Sequence, residues 1–216
     1  MEHREFLALD ELAEKYGTDK GSKNHNYTSR YSMYLEQYRD EEFNLLEIGV
    51  YNGASVKMWK EYFPKATIVA LDIDPTCKKY QEDRVNIHIG DQTDGNFLNE
   101  IVDQYKHFEI ILDDGGHSWK QQIFSFETLF PRLSPGGLYF LEDMHTSYRP
   151  SSEWDDYHIT GVNYFKNIVD KVNLNGKSFC GYLEIGNQYL DYYERNVDYI
   201  HFYKSVLAIG KKVESL

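Results

Sequence analysis

Apolar residues recur along the chain in two alternating rhythms. At Phe6, Leu9, Leu12, Ala13 and Tyr16 the spacing is helical, and Gly17 follows where a helix would stop. A second helical stripe carries Tyr31, Tyr34, Leu35 and Tyr38. Between them, Thr18 to Tyr27 shows no periodicity and reads as a polar connector. Short apolar runs then predict strands at Asn44–Gly49, Ala66–Leu71 and Val85–Ile89, at the start of FEIILDDGGH from Phe108, and at Leu138–Leu141 after the turn Pro135, Gly136, Gly137. Helical stripes separate most of them: Val56, Trp59 and Phe63; Phe97, Ile101 and Tyr105; Trp119, Ile123, Phe126 and Phe130. Further on, Val162, Phe165, Ile168, Val169 and Val172 mark a helix. Lys177 to Val197 is irregular, and Tyr199 to Val213 reads as two strands turning near Lys204 and Ser205.

Strands alternating with helices of this length imply a parallel sheet covered on both faces. The expected fold is α/β: a doubly wound, Rossmann-like sheet, mostly parallel with one antiparallel edge strand, and helices on both faces. A single domain over residues 1–216 is expected, with an N-terminal helical cap at 1–40 and an insertion at 150–197.

Composition narrows the partners. The formal net charge of −12 opposes binding to duplex nucleic acid or to an anionic membrane surface, both of which need a basic face. No apolar run approaches the roughly 20 residues of a membrane span. The opening MEHREFLALDELAEKYG is too charged for a signal peptide, and Cys77 and Cys180 show no metal-ligand spacing. The economical expectation is a reduced, cytoplasmic protein acting on small molecules, with no nucleic acid and no membrane.

Candidate chemistry gathers at one edge. Glu47, Asp72, Asp91, Asp113, Asp114, Glu142 and Asp143 all fall within or just past the end of a predicted strand, and parallel strands bring those ends together. Two sub-sites separate. In the first, EIGVYNG (Glu47 to Gly53) has an early glycine, Gly49, but lacks the GxGxxG that a dinucleotide pyrophosphate requires. A ligand without phosphates, such as a nucleoside with an amino-acid tail, fits better. Asp72 lies where an acidic side chain accepts ribose hydroxyl protons; glycines serving only strand–helix packing, with Asp72 as a cap, is the plainer alternative. In the second, Asp114, Glu142 and Asp143 converge from two loops, a donor set suited to a magnesium-type ion and less to zinc. Without an ion, such carboxylates would repel and raise one another's pKa. His117 is open to three roles: an outer hydrogen-bonding partner, a ligand, or a base for a hydroxyl proton. His145 is a second candidate base. Tyrosine is frequent, at 19, and Tyr182, Tyr189, Tyr192 and Tyr193 suit a covering layer, a sugar-binding face or a partner subunit, which leaves room for a homo-oligomer.

These motifs carry a resemblance. LLEIGVYNG, ALDIDP, HIGDQTD, IILDDGGH and PGGLYFLEDMHTSY together resemble the class I S-adenosylmethionine-dependent methyltransferases. More narrowly, the chain is similar to the metal-dependent sugar O-methyltransferases of macrolide and related glycoside biosynthesis. LAEKYGTDKGSKNHNYTSRY near the start and IHFYKSVLAIGKK near the end fit the same group. The resemblance implies that Asp114, Glu142 and Asp143 hold magnesium (or manganese) and that His117 is the general base. It implies that Glu47, Gly49, Asp72, Asp91 and Gln92 line S-adenosyl-L-methionine, with Thr18, Lys20 and Tyr27 closing over it. Gly53 and Asp113 are counted with the cofactor residues, and His145 and Tyr148 with the acceptor. The implied acceptor is a sugar or small-molecule glycoside, met by residues 150–197. Within Ser151 to Val197 nothing is recognised, so the acceptor's identity stays open. Three rivals stand beside this reading. One is chemistry resembling the cephalosporin hydroxylases, which share parts of the pattern. Another is a nicotinamide-dependent oxidoreductase on the same sheet, disfavoured by the missing GxGxxG and the three carboxylates. The third is a non-catalytic small-molecule binding protein, which would not need His117 beside the cluster.

Overall fold

The computed structural model describes residues 8–149, 157–173 and 192–213. Phe6, Cys180, Tyr182, Tyr189 and most of the expected insertion lie outside the described residues. Strands β1 (Asn44–Ile48), β2 (Thr67–Asp72), β3 (Val85–Ile89), β4 (Phe108–Asp113), β5 (Leu133–Leu141), β6 (Val197–Phe202) and β7 (Leu207–Lys211) form one sheet. Its order is β3-β2-β1-β4-β5-β7-β6. The first five strands are mutually parallel. Strand β7 runs antiparallel to both β5 and β6, so among the described residues it is the one reversed strand, as expected. It lies one place in from the edge, because its hairpin partner β6 is the outermost strand.

Alternate residues of each strand enter opposite layers, as the two-residue period of a strand requires. Leu45, Ile68, Ala70, Ile110 and Phe140 pack with helices α1 (Leu9–Tyr16), α2 (Thr28–Leu35) and α3 (Ala54–Tyr62). Leu46, Val69, Leu71, Ile111 and Leu141 pack with α4 (Gly95–Tyr105), α5 (Trp119–Leu129) and α6 (Gly161–Asn173). With both faces covered, the strands read as continuous apolar runs rather than alternating ones. Trp59, Tyr31 and Phe140 meet edge to face within the first layer, so the N-terminal segment is built into that core.

Several elements differ from the pattern reading. Strand β5 begins at Leu133 and contains Pro135, Gly136 and Gly137, which read as a turn before the strand. Its pairing with β4 shifts register between Phe108 and Ile110, and Gly136 has φ 74°; an irregular strand start accommodates a proline that cannot donate to the ladder. The stripe from Tyr31 to Tyr38 is α-helical only to Leu35 and tightens into a 3₁₀ turn at Glu36–Tyr38. Between β2 and β3 the chain makes a 3₁₀ helix, Pro75–Tyr80, capped by Asp74, which accepts from Thr76 N at 2.8 Å. EDMHTSY closes in another short 3₁₀ helix, Met144–Tyr148. No helix among the described residues is long and apolar enough to cross a membrane.

Candidate active site

A cleft of about 540 Å³ opens at the carboxyl ends of β1 to β4, with Gly17, Thr18, Asp19 and Lys20 on its N-terminal side. Its β1–β3 side is organised by backbone. Gly49 has φ 93°, and a Cβ there would stand 2.1 Å from the carbonyl oxygen of Asp114, so two strand-end loops touch main chain to main chain. Asp72 closes the opposite wall. One of its oxygens accepts from Val50 N at 2.8 Å and Tyr51 N at 3.0 Å, and the other from Asp74 N at 2.8 Å. Burial works to raise its pKa, but these N–H groups and the Cys77 thiol outweigh burial and hold it below the usual carboxylate value. Gln92 ties the loop after β4 to α5, accepting from Gly116 N at 2.7 Å and donating to Ser125 Oγ at 2.9 Å. Asp91 also lines the cleft and caps its own turn by accepting from Thr93 N at 2.7 Å.

Three residues expected at the cofactor lie one layer behind the lining. Glu47 is fully buried and accepts from Ser55 Oγ and Trp59 Nε1, each at 3.0 Å; burial pushes its carboxyl up to about 7. Asp113 accepts from Tyr139 OH at 3.0 Å, and burial likewise pushes it up to about 7. Gly53 starts α3 with φ 73°, against the ring of Tyr80.

The other side of the cleft is built from side chains. Asp114, His117 and Asp143 each offer a ligand atom, all within 4.8 Å of one another. His117 Nε2 lies 3.5 Å from Asp143 Oδ2 and 3.9 Å from Asp114 Oδ1. His117 and Asp143 are both non-glycine residues in the left-handed region, at φ 60° and 55°. Such strain persists only where the surroundings enforce it, and it clusters at sites. The hard carboxylate oxygens of Asp114 and Asp143 fit a magnesium or manganese ion, with the His117 imidazole beside them.

Glu142, expected as a third ligand, lies beside Asp114 and shares Lys20 with it. Its carboxylate is fully buried and accepts from Lys20 Nζ at 2.8 Å and from Tyr31 OH. Burial and then the charge of Asp114 raise its pKa well above the usual value, against the pull of Lys20. Lys20 is itself only 1 % exposed and also bridges Asp114. Burial disfavours its ammonium, but Asp114, Glu142 and Glu47 together outweigh burial and keep it charged. Tyr27 OH donates to Asp143 Oδ1 at 2.6 Å. Lys20 and Tyr27, expected to close over the cofactor, thus place their polar ends on the acidic cluster, and only Lys20 also lines the cleft. Tyr31 was missed, because a tyrosine on a helical stripe reads as core. His145 pairs its Nδ1 with Ser205 Oγ at 2.6 Å, and burial holds its pKa below the ordinary value. Tyr148 is 70 % exposed. Neither lines the cleft.

No protein-family model matches the chain. It is 33 % identical over 221 residues to the 8-demethyl-8-alpha-L-rhamnosyl tetracenomycin-C 2'-O-methyltransferase of Streptomyces olivaceus, covering 98 % of this chain and 57 % of that protein. It is 33 % identical to the demethylmacrocin O-methyltransferase of Streptomyces fradiae, covering 96 % and 54 %. A mycinamycin-pathway methyltransferase solved with Mg, SAH and mycinamycin VI superimposes with a TM-score of 0.84 at 32 % identity, over 96 % of this chain and 54 % of that one. The chain is related to the sugar O-methyltransferases of macrolide and glycoside biosynthesis. Its seven-stranded sheet is the methyltransferase form of the Rossmann-like fold. It spans about half the length of these sugar O-methyltransferases. A putative caffeoyl-CoA O-methyltransferase from Staphylococcus aureus, at TM-score 0.59 and 15 % identity, shares the fold alone.

Proposed function

We propose that this chain transfers a methyl group from S-adenosylmethionine to a hydroxyl of a sugar or glycosylated small molecule, with magnesium or manganese at the Asp114 cluster. The observation that carries the reading is the meeting, in one cleft, of the strand-end carboxylate Asp72 with Asp114, His117 and Asp143. The relationship to sugar O-methyltransferases over nearly the whole chain supports it.

S-adenosylmethionine supplies a methyl already activated by its sulfonium, so the protein chiefly has to position the two reactants and assist the nucleophile. Asp72 would accept the ribose hydroxyls while its remaining lone pairs hold the turn Val50–Tyr51 in place. Gly49 lets the chain approach closely, and Asp91 and Gln92 line the same wall. Glu47 and Asp113 act from beneath by fixing the strand ends.

Sugar hydroxyls are weak nucleophiles near neutral pH, so proton removal is the step that needs help. A divalent ion would supply acidity, lowering the pKa of a hydroxyl it binds. Asp114 and Asp143 would hold it, and Glu142, joined to Asp114 through Lys20, is the third residue proposed to hold it. His117, whose Nε2 lies 3.5 Å from Asp143 Oδ2 and 3.9 Å from Asp114 Oδ1, would take the hydroxyl proton. His145 and Tyr148, in the short helix after Asp143, would meet the acceptor.

Calorimetric titration with S-adenosylmethionine and, separately, with NADH tests the reading. Binding of the first and not the second is expected. Binding of NADH alone contradicts the proposal and favours an oxidoreductase.

A further inference from the structure

The N-terminal segment reaches the acidic cluster with a cation as well as hydroxyls. Lys20 Nζ sits in contact with both Asp114 Oδ2 and Glu142 Oε1 and is shielded from water. The second oxygen of Asp114 faces His117, so the ammonium and an ion held by Asp114 and Asp143 would flank one carboxylate. Two cations sharing a carboxylate at that range repel, and burial leaves little water to screen them. The backbone of Lys20 belongs to the cleft: Gly17 to Lys20 line it, and Lys20 O accepts from Thr28 N at 3.0 Å, tying the loop to α2.

We propose that Lys20 is a positioning residue that acts as the displaceable counter-cation of the cluster: it holds Asp114 and Glu142 together in the absence of a divalent ion, and ion binding releases it from Asp114. Ion occupancy is thereby linked to the loop that borders the cofactor side of the cleft. This rests on the metal site proposed above. A purely structural ion pair has the opposite consequence, since its removal would loosen the carboxylates and weaken the ion.

The test is a Mn²⁺ titration followed by electron paramagnetic resonance, on the wild type, Lys20→Met and Lys20→Arg, with ion-free melting temperatures alongside. Lys20→Met should bind Mn²⁺ at least about tenfold more tightly, because one contact charge is gone, and should melt lower without ion. Lys20→Arg keeps the charge and should stay within about threefold of wild type. Equal or weaker Mn²⁺ binding by folded Lys20→Met overturns the proposal. If that variant does not fold, hydrogen exchange on the wild type decides. Saturating Mn²⁺ should speed exchange of the Thr28 amide, whose acceptor is Lys20 O, and unchanged exchange there overturns the proposal. Absence of Mn²⁺ binding to the wild type is a separate result; it removes the metal site and this inference with it.

Discussion

On the β1–β3 side of the cleft, the groups that shape the wall are main-chain N–H groups held by neighbours: Asp72 fixes Val50, Tyr51 and Asp74, all within 22 positions. On the β4–β5 side, the carboxylates are held by side chains from far away. Lys20 is 94 positions from Asp114, Tyr31 is 111 from Glu142, and Tyr27 is 116 from Asp143. The first half can form as soon as two strands and their turns pair. The second is complete only when α2 and the loop before it have docked on the sheet. One half should therefore tolerate loss of a distant residue, while the other should register it in ion binding and in stability.

The largest effect separating the halves is expected at His117. His117→Ala should lower turnover by about 10²–10⁴, the usual range for loss of a general base. Mn²⁺ and S-adenosylmethionine affinities should stay close to wild type. Loss of ion affinity equal to the loss of turnover would make His117 a ligand instead.

Next comes Asp114→Asn, which keeps the shape and removes the charge. Ion affinity should fall by about 100-fold, the upper end of what even outer partners of a metal contribute, while S-adenosylmethionine still binds. EDTA should silence the wild type reversibly. Parallel loss of both ligands in Asp114→Asn would mean that the halves are not separable.

Asp72→Ala makes the reciprocal cut. A charge-assisted hydrogen bond contributes about 1.5–3 kcal/mol, so the cofactor should bind at least about tenfold more weakly. Mn²⁺ affinity should not change. Calorimetry reads both constants on one preparation.

The smallest effect concerns Glu47 beneath the turn. Its folded pKa of about 7 lies above its ordinary 4.5, so its contribution to stability is fully present below the ordinary value and is lost as pH rises through 7. Glu47→Gln removes that dependence. Between pH 5 and pH 8, about two units below and one above that pKa, the melting temperature of the wild type should fall relative to the variant. Parallel curves would show that Glu47 is not titrating there.

The same contrast explains what was legible in the sequence. Strands β1 to β4 and their helices follow from apolar periodicity, and their acidic ends follow from the rule that parallel strands share an edge. Asp72 and Gly49 were readable because their spacing is local. The start of β5 was not, since proline and two glycines signal a turn whether or not a neighbouring strand captures them at a bulge. Lys20, Tyr27 and Tyr31 were the least legible. A loop lysine and two tyrosines near a helical stripe carry no mark of the carboxylates they reach, because only tertiary docking brings them there. That docking also buries Glu142 against Lys20 and Tyr31, which the sequence spacing does not disclose.

The most direct test of the account is transfer of an isotope-labelled methyl group from S-adenosylmethionine to a panel of glycosides, followed by mass spectrometry with Mg²⁺ or with EDTA. The account predicts label on a sugar hydroxyl of at least one glycoside, dependent on Mg²⁺ and abolished in EDTA. Label that transfers equally well in EDTA, or no labelled glycoside from a protein that binds both S-adenosylmethionine and Mg²⁺, would contradict it.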